Sequence, residues 1–411
     1  EDDNGITAPI DIEGIWIDMD SPYDVSVEYV DYISPISNMA NFLSDFLYKY
    51  YGGPKGQLVK VRFKANDIDS GVKSFKYSYI KADNSLVEQE IVVVDDDGNL
   101  INGAISDKNN NEVYVDVELQ VAGKNEEIET EGNVKVKAID VAGNESTEID
   151  NNNVRYVYDT KCPEIEIGWS PKSNEDSFDE IKKNVNNRMI TTGVYTNSVE
   201  VKVVISVKEG YFDNTDKVSV KLDNKTLAGK WTNNTFETVI RAEEGPSDRK
   251  VQVSYTDHSG NVGKSSNEKS LSLDVFMDRT APEIAFEYDD ENKGDVEKEV
   301  YYYKGSMKLT TKIEEAHFDA STTKITVYKN GKEYTNSKEY TNSAKKKPDV
   351  VFTRLDKKEP VCEIKGKFGE NNKYQIFVEN KDKCGNTGNA TSETVVIDRT
   401  DPEISVKFAD E

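Results

Sequence analysis

One short pattern, Asp-x-x-x-Pro, recurs four times and divides the sequence into long, nearly equal parts. It begins at Asp18, Asp159, Asp278 and Asp398, each time after a short apolar run. The steps between these aspartates are 141, 119 and 120 residues. A period of this length is typical of whole domains rather than of the short units of a solenoid. The sequence therefore predicts a tandem array of domains.

A second pattern, Asp-x-x-Gly-Asn, begins at Asp140, Asp257 and Asp382 and precedes three of the Asp-x-x-x-Pro copies. Each copy lies between two strand-like runs. Gly and Asn tolerate the positive φ that tight turns need, so each copy predicts a hairpin. The aspartate can accept hydrogen bonds from the backbone amides that follow it.

Alternating apolar and polar residues predict about seven short strands in each repeat of about 120 residues. Val134 to Ile139 and Lys250 to Tyr255 are examples of such runs. Alternation leaves one face of each strand in water, which favours antiparallel sheets. The predicted fold class is all-β, with antiparallel β-sandwiches in tandem.

Residues 34–53 are the exception, because their apolar residues recur at helical spacing. Ser34 and Pro35 suit an N-cap and a first helical position, and Gly52 and Gly53 suit a helix end. The sequence predicts one amphipathic helix inserted into the first domain. The corresponding insertion of the second repeat, 170–197, is expected to hold a short helix near 178–184.

Two roles for the predicted first-domain helix stay open. It either covers an open end of its own sandwich or presents an apolar face to a binding partner. The residues that would form this candidate binding face are Phe42, Phe46 and Leu47. Insertions that vary while the framework repeats are common places for binding functions.

The chain resembles the bacterial immunoglobulin-like repeats of Gram-positive cell-surface proteins. The likeness rests on the Asp-x-x-Gly-Asn turns, on Asp-Arg-Thr-x-Pro-Glu-Ile at Asp278 and Asp398, and on a Glu-x-x-Phe-Asp turn at Glu209 and Glu315. The resemblance covers nearly all of the chain from Asp18 onward. It implies immunoglobulin-like β-sandwiches in a secreted, multi-domain surface protein, where such modules serve as stalks or adhesive arms.

The repeats give the following predicted boundaries. Residues 1–19 are the end of a preceding unit or a leader, 20–159 the first immunoglobulin-like domain with its 34–53 insertion, 160–278 the second, 279–398 the third, and 399–411 the start of a further unit. We accordingly expect the chain to be a segment of a longer protein.

The charge balance excludes several partners. The chain has 77 acidic and 52 basic residues, for a net charge of −25. Such a surface repels nucleic acid and anionic lipid. No run approaches the ~18 apolar residues of a membrane span. The expected partners are neighbouring domains of the same larger protein and a host protein or glycan, without nucleic acid or direct membrane insertion.

Three cysteines in 411 residues do not form a disulfide-rich scaffold. Cys162 and Cys384 occupy positions where the sister repeats have other residues, so neither is required for folding. Cys362 and Cys384 are 22 residues apart in the third domain and could form a disulfide. Two free thiols are the favoured alternative.

The sequence predicts no catalytic residues and no enzymatic activity. The two histidines, His258 and His317, align with non-histidine residues in the sister repeats, and neither has a neighbouring nucleophile. The sequence also lacks a Gly-rich phosphate loop, Cys-x-x-Cys and His-x-x-x-His, so no motif for a nucleotide or zinc is present.

No cofactor is required by any motif, but calcium is the one that the acidic residues could bind, because it prefers carboxylate and carbonyl oxygens. The alternative is that these aspartates only accept hydrogen bonds from linker amides. The turn at Asp95 lacks calcium-loop spacing and predicts a hairpin turn. The candidate ligands are Asp140, Asp159, Glu164, Asp257, Asp278, Glu283, Asp382 and Asp398.

Three functions remain open at this stage. The first is a structural stalk or spacer of a secreted or cell-wall-attached bacterial surface protein. The second is an adhesive segment that binds through the first-domain helix and the second-domain insertion. The third is an accessory region of a larger secreted enzyme. Trp16, Trp169 and Trp231 could stack on sugars, although packing inside the domains is their expected role.

Overall fold

The computed structural model describes residues 17–33, 47–107, 111–123, 125–151, 154–212, 218–243, 245–291, 293–297, 299–334, 350–358, 361–369 and 371–407. For residues 295, 297, 350–358 and 361–367 it describes the backbone alone. Within these ranges the fold is all-β, as predicted, with 3₁₀ turns at Gly53–Lys55 and Ala320–Thr322. No described helix is long and apolar enough to cross a membrane.

The chain divides into two compact units. The first comprises Glu1–Ile165, Val207–Ser219 and Ser254–Lys264, and the second comprises Glu166–Ser206, Val220–Val253 and Ser265–Glu411. Each described sheet takes its strands from one of three consecutive segments of the chain, which we call segments 1, 2 and 3.

Segment 1 forms three sheets, with strand orders β1-β3-β7-β6, β10-β9-β4-β5 and β2-β11-β8. Its strands are β1 Tyr23–Val30, β2 Tyr48–Gly52, β3 Val59–Asn66, β4 Val72–Ile80, β5 Leu86–Val92, β6 Ile105–Asp107, β7 Glu112–Leu119, β8 Glu129–Gly132, β9 Val134–Asp140, β10 Ile149–Asp150 and β11 Arg155–Asp159.

The helix predicted over 34–53 is wrong in its last part. Residues Tyr48–Gly52 form strand β2, which pairs in parallel with β11 from Tyr48↔Arg155 to Gly52↔Asp159. Residues 34–46 lie outside the described residues. The pairing with β11 decides the conformation, because it satisfies backbone groups along β2 and buries Tyr50 and Tyr51.

Segment 2 forms two sheets, with strand orders β18-β19-β15-β12-β21 and β13-β14-β22-β20-β16-β17. Its strands are β12 Glu164–Pro171, β13 Phe178–Val185, β14 Arg188–Thr196, β15 Glu200–Lys208, β16 Val218–Leu222, β17 Lys225–Thr226, β18 Lys230–Thr232, β19 Thr235–Arg241, β20 Ser247–Tyr255, β21 Lys264–Ser265 and β22 Lys269–Met277.

The short helix expected near 178–184 is also wrong. Phe178–Val185 is strand β13, and it forms a hairpin with β14 through Asn186 and Asn187, which both have positive φ. Paired asparagines in that conformation suit a tight hairpin turn. Strand β14 then pairs in parallel with β22.

Segment 3 forms two sheets, with strand orders β23-β26-β30-β29 and β24-β25-β33-β31-β27-β28, and β32 pairs with β31. Its strands are β23 Glu283–Tyr288, β24 Lys293–Glu297, β25 Val300–Tyr303, β26 Met307–Glu314, β27 Lys324–Lys329, β28 Lys332–Glu333, β29 Val350–Lys358, β30 Val361–Phe368, β31 Asn372–Lys381, β32 Thr387–Thr391 and β33 Thr394–Ile397.

The insertion that varies among the repeats covers residues 34–53 in the first, 170–197 in the second and 289–304 in the third, and it has a common structural role in all three segments. It contains a strand that pairs in parallel with the last strand of its segment, as β2 with β11, β14 with β22 and β25 with β33. Strand β1 pairs antiparallel with β3, β15 with β19 and β23 with β26. The insertions are therefore part of the sheets, whatever binding role they have.

Antiparallel pairing flanks the Asp-x-x-Gly-Asn turn in all three segments. Strand β20 pairs antiparallel with β22, and β31 pairs antiparallel with β33. In segment 1 the short strand β10 pairs antiparallel with β9 across the turn. The longer strand β11 lies in a different sheet, where it pairs with β2 and β8.

Alternating burial shows how the sheets enclose a core. Strand β3 buries Val59, Val61, Phe63 and Ala65, while the residues between them are only partly buried. Phe63 lies 5.8 Å from Phe75 between ring centroids. Burying an aromatic or branched aliphatic side chain contributes about 1.5–3 kcal/mol. Segment 3 has a separate cluster of buried residues that includes Tyr303, Phe368 and Tyr374.

Candidate functional site

Three small clusters of titratable side chains lie at equivalent places in the repeats. In each cluster, one potential ligand atom from each of three residues lies within 4.8 Å of the others. These are the clusters found among the described residues. The first cluster is Asp18, Asp67 and Asp140, the second is Asp159, Glu209 and Asp257, and the third is Asp278, Glu315 and His317.

The members of a cluster come from recurring positions in the sequence. One is the aspartate of Asp-x-x-x-Pro, and one is the acidic residue that directly follows β3, β15 or β26. The third member in the first two clusters is the aspartate of Asp-x-x-Gly-Asn. In the third cluster His317 is the third member. Asp382, the equivalent turn aspartate, is near enough to raise the pKa of Glu315.

Each Asp-x-x-x-Pro aspartate fixes the start of the linker that follows it. Its Oδ1 accepts a hydrogen bond from the backbone N–H two residues later, at 3.0 Å for Asp18 and 2.9 Å for the other three. This is the Asx-type bonding expected of an aspartate at a turn. The predicted alternative to metal binding, in which these side chains bond linker amides, therefore describes contacts that are present.

The turn asparagines connect the turns to the linkers. Asn261 Nδ2 donates to the backbone carbonyl of Asp159 at 3.2 Å and to Asp257 Oδ2 at 2.9 Å. Asn386 Nδ2 donates to the carbonyl of Asp278 at 2.9 Å, and Asn144 Nδ2 donates to the carbonyl of Asp18 at 3.2 Å. We call these three contacts the turn–linker hydrogen bonds.

The first cluster consists of the half-buried Asp18 and the buried Asp67 and Asp140. Hydrogen bonds from the Ser70 side chain and the Asp20 amide lower the pKa of Asp18. Burial raises the pKa of Asp67, against the hydrogen bond that its carboxylate accepts from Gly71 N at 2.6 Å.

The second cluster concentrates negative charge in a buried place. Burial, and then repulsion from Asp257, raises the pKa of Asp159 to about 8. Burial, and then repulsion from Glu129, raises the pKa of Glu209 to about 8. The Oε1 atoms of Glu209 and Glu129 are buried, and no donor among the described residues bonds them. This cluster therefore favours taking up a proton or a cation.

The third cluster is fully buried and contains an imidazole. The exposed fractions of Asp278, Glu315 and His317 are 0, 5 and 7%. Burial raises the pKa of Asp278, but hydrogen bonds from Thr280 and His317 outweigh it, so the pKa lies below its usual value. Burial raises the pKa of Glu315 to about 7, although its Oε1 accepts a hydrogen bond from His317 N at 2.8 Å.

The calcium ligands predicted from sequence divide into two groups. Asp140, Asp159, Asp257 and Asp278 lie in the clusters. Asp382 is buried beside the third cluster, where burial raises its pKa. Outside the clusters lie Glu164 at the half-buried start of β12, Glu283 at the exposed start of β23, and the exposed Asp398.

The clusters provide oxygen donors that suit calcium, which takes six to eight oxygen ligands. The second cluster fits this chemistry best, because Glu209 Oε1 is buried and no residue in the described part of the chain donates a hydrogen bond to it. Asp159, Glu209 and Asp257 would then hold the ion, with Glu129 beside them. Bound calcium would supply positive charge among these carboxylates.

The prediction from sequence missed, as cluster members, the acidic residues that directly follow β3, β15 and β26, namely Asp67, Glu209 and Glu315. A signal was available, because each directly follows a strongly alternating strand in its repeat. Strand β8, which contributes Glu129, was also missed, since its residues Glu129–Gly132 have no apolar alternation.

The candidate binding residues of the 34–53 insertion are only partly within the described chain. Leu47 is 44% exposed, and Phe42 and Phe46 lie outside the described residues. Trp169 packs edge-on against Phe178 and donates to Glu180, and Trp231 lies 5.3 Å from Phe236. Trp16 lies outside the described residues. Cys384 is a buried free thiol.

Comparisons with known proteins give a distant structural similarity. No protein-family model and no curated protein matches the chain. Among solved structures, it is similar to the protocadherin repeats titled "PcdhgB3 EC1-4 in 50 mM HEPES". The identity is 9% and the TM-score is 0.22, with 85% of this chain and 73% of that chain covered. A likeness this distant assigns neither function nor binding residues.

Proposed function

We propose that the chain is a structural spacer in a secreted or cell-wall-attached bacterial surface protein, without catalytic activity of its own. The observation that supports this most is the threefold recurrence of the turn–linker hydrogen bonds. In each repeat the asparagine of Asp-x-x-Gly-Asn holds the carbonyl of the aspartate that opens the linker. A spacer needs ordered linkers, and an ordered linker needs its backbone groups fixed.

The energetics favour an ordered linker. Asn261 is 1% exposed, so its two donated hydrogen bonds are shielded from water. Removing one partner of a buried hydrogen bond costs about 1–3 kcal/mol, because the remaining group stays unsatisfied. The hydrogen bond from Asn261 to the Asp159 carbonyl restricts the backbone at residues 159–161. The hydrogen bond that Asp159 Oδ1 accepts from Lys161 N restricts it further.

Small-angle scattering of the purified chain tests the proposal. Three sandwiches of about 40 Å each, from strands at about 3.3 Å per residue with their loops, give a particle about 120 Å long. We expect that length with calcium and with chelator, since the linker hydrogen bonds need no ion. A compact particle in both conditions would overturn the proposal.

A double substitution shows whether the asparagines are responsible. Asn261→Ala with Asn386→Ala should broaden the distribution of interatomic distances, because two linkers lose their bound carbonyls. Asn99→Ala is the matched control. Asn99 ends the exposed turn at Asp95, and its side chain donates to Asp95 Oδ2 at 3.3 Å instead of to a linker carbonyl. An unchanged distribution in the double variant would remove the main support for the spacer function.

A further inference from the structure

The third cluster differs from the other two in having a nitrogen ligand. His317 is 7% exposed, and the equivalent position of the preceding repeat is Tyr211. The cluster's carboxylates, Asp278 and Glu315, are 0 and 5% exposed. A buried imidazole beside two buried carboxylates is a different chemical environment from an all-carboxylate cluster.

The two ring nitrogens of His317 have separate partners. Nδ1 faces Asp278 Oδ2 at 3.1 Å, inside the cluster, and Nε2 faces Asp248 Oδ1 at 2.9 Å. Asp248 is 65% exposed and lies outside the cluster. A metal-binding histidine characteristically donates its second ring N–H to a carboxylate, which fixes the ring and its tautomer. Asp248 is placed to accept that bond while Nδ1 faces the cluster.

Packing holds the imidazole in this orientation. The rings of Tyr195 and Phe276 meet it edge to face at centroid distances of 5.9 and 5.6 Å. The carbonyl of His317 accepts a hydrogen bond from Lys383 N at 2.9 Å. Glu315 Oε1 accepts a hydrogen bond from the backbone N–H of His317, which fixes the Glu315 carboxylate relative to the His317 backbone.

We propose that the third cluster binds a divalent transition-metal ion of the zinc class through Asp278, Glu315 and His317 Nδ1. Asp248 is the positioning residue. Imidazole with carboxylates favours zinc, whereas calcium prefers oxygen ligands alone. Tetrahedral ligands about 2.1 Å from zinc are about 3.4 Å apart. The ligand atoms here lie within 4.8 Å, with Nδ1 and Oδ2 at 3.1 Å, so small side-chain movements suffice.

The competing explanation is an ion pair without metal. A protonated His317 would donate from both nitrogens to Asp278 and Asp248 and need no third ligand. The two explanations differ in one respect that can be measured, which is whether the chain takes up zinc through His317. The zinc site is independent of the proposed spacer function, because the turn–linker hydrogen bonds involve none of its ligand atoms.

Calorimetric titration of the chelator-treated full chain with zinc chloride tests the site. We expect one zinc ion per chain in the wild type and its loss in His317→Tyr, which installs the residue of the sister repeat. His258→Val, which installs the residue of the first repeat at the other histidine, should keep it. Failure of the wild type to bind zinc, or binding by His317→Tyr equal to the wild type, would overturn the proposal.

Cobalt(II) gives a second readout that does not depend on affinity alone. We expect visible d–d absorption in the wild type that is absent in Glu315→Gln, and far-UV circular dichroism should show both proteins folded. Asp248→Asn should weaken zinc binding about 10–100-fold, as loss of an outer-shell partner does. Equal affinity in Asp248→Asn would contradict the positioning role.

A last control concerns the nearby thiol. Burial, and then Asp382, raises the pKa of Cys384 to about 12, and its Sγ faces the carbonyl of Phe276. A protonated thiol is a poor zinc ligand. Cys384→Ser, which installs the residue of the second repeat, should therefore keep the zinc stoichiometry and the cobalt spectrum. Loss of zinc there would contradict the proposed ligand set.

Discussion

The substitution Glu209→Gln tests whether the second cluster stores electrostatic repulsion. Glu209 lies with Asp159 and Asp257 so that one oxygen of each is within 4.8 Å of the others. Its Oε1 is buried, and none of the residues that the structure describes donates a hydrogen bond to it. Glutamine keeps the shape of the side chain, removes one negative charge and adds an N–H group among acceptors. The variant should be more stable than the wild type when the carboxylates are ionised.

The magnitude follows from the spacing. Two unit charges 4.8 Å apart at an effective dielectric constant of about 20 repel by about 3.5 kcal/mol. The rise in the pKa of Glu209 from 4.5 to about 8 corresponds to about 5 kcal/mol, at about 1.4 kcal/mol for each tenfold change. Because the carboxylates titrate together and the site relaxes, we expect a measured gain of about 2–4 kcal/mol at pH 9.

The sign of the pH dependence follows from linkage. Between about pH 4.5 and 8 the folded state holds protons that the unfolded state has released, so wild-type stability falls as pH rises through this window. The glutamine side chain of the variant cannot titrate, so the advantage of the variant should be small at pH 5 and largest above pH 8.

Urea unfolding at pH 5 and pH 9, with hydrogen exchange at peptides covering 154–165, measures this difference. Glu127→Gln is the control, since Glu127 is an exposed partner of Lys264 and should give little change at either pH. If Glu209→Gln raises the free energy of unfolding equally at both pH values, or does not raise it at all, the expected repulsion among the carboxylates would be refuted. Calcium at pH 9 would stabilise the wild type but not Glu209→Gln if the cluster binds the ion.

Three further outcomes are expected. Gly52→Ala should lower the free energy of unfolding by about 2–4 kcal/mol, because φ is +90° and the new Cβ would lie 2.5 Å from Asp159 O. Gly98→Ala is the control, since its Cβ would meet open space, and it should cost about 1–2 kcal/mol in the same thermal unfolding measurement. Asn261→Asp should destabilise strongly at pH 8 by replacing two donated bonds with a charge, measured by urea unfolding. Cys384, whose pKa burial raises to about 12, should resist iodoacetamide at pH 8 until urea is added, as peptide mass spectrometry would show.

The fold class could be predicted because it depends on local patterns. Strand β3 alternates buried and half-buried residues throughout its length, and that period is visible in the sequence. Strand β2 could not be predicted in the same way. Its tyrosines and the apolar residues before it have helical spacing, but pairing with β11 over a hundred residues away makes Tyr48–Gly52 extended. Long-range pairing overrides local propensity.

The linker aspartates and turn aspartates were recognisable because each belongs to a motif with a fixed spacing. The remaining carboxylates were not recognisable as cluster members, although Glu209 and Glu315 each begin a Glu-x-x-Phe-Asp turn. Asp67, Glu209 and Glu315 each follow a strand, and only the folded sheets bring them to the other two members of their clusters. Their side-chain burial and hydrogen bonding also depend on tertiary structure, so the raised pKa of Glu209 is not visible in the sequence.

Divergence at a single recurring site gives the repeats different chemistry. The linker aspartate accepts the same hydrogen bond from a backbone N–H at Asp18, Asp159 and Asp278, and the turn asparagine keeps its hydrogen bond to the linker carbonyl. What changes is the partner of the carboxylates, which is the Ser70 side chain in the first cluster and His317 in the third. In the second cluster Glu209 Oε1 accepts no hydrogen bond from any residue within the described ranges. Linker order is thus maintained by geometry that recurs within this chain, while proton or metal binding can vary from one repeat to the next without disturbing it.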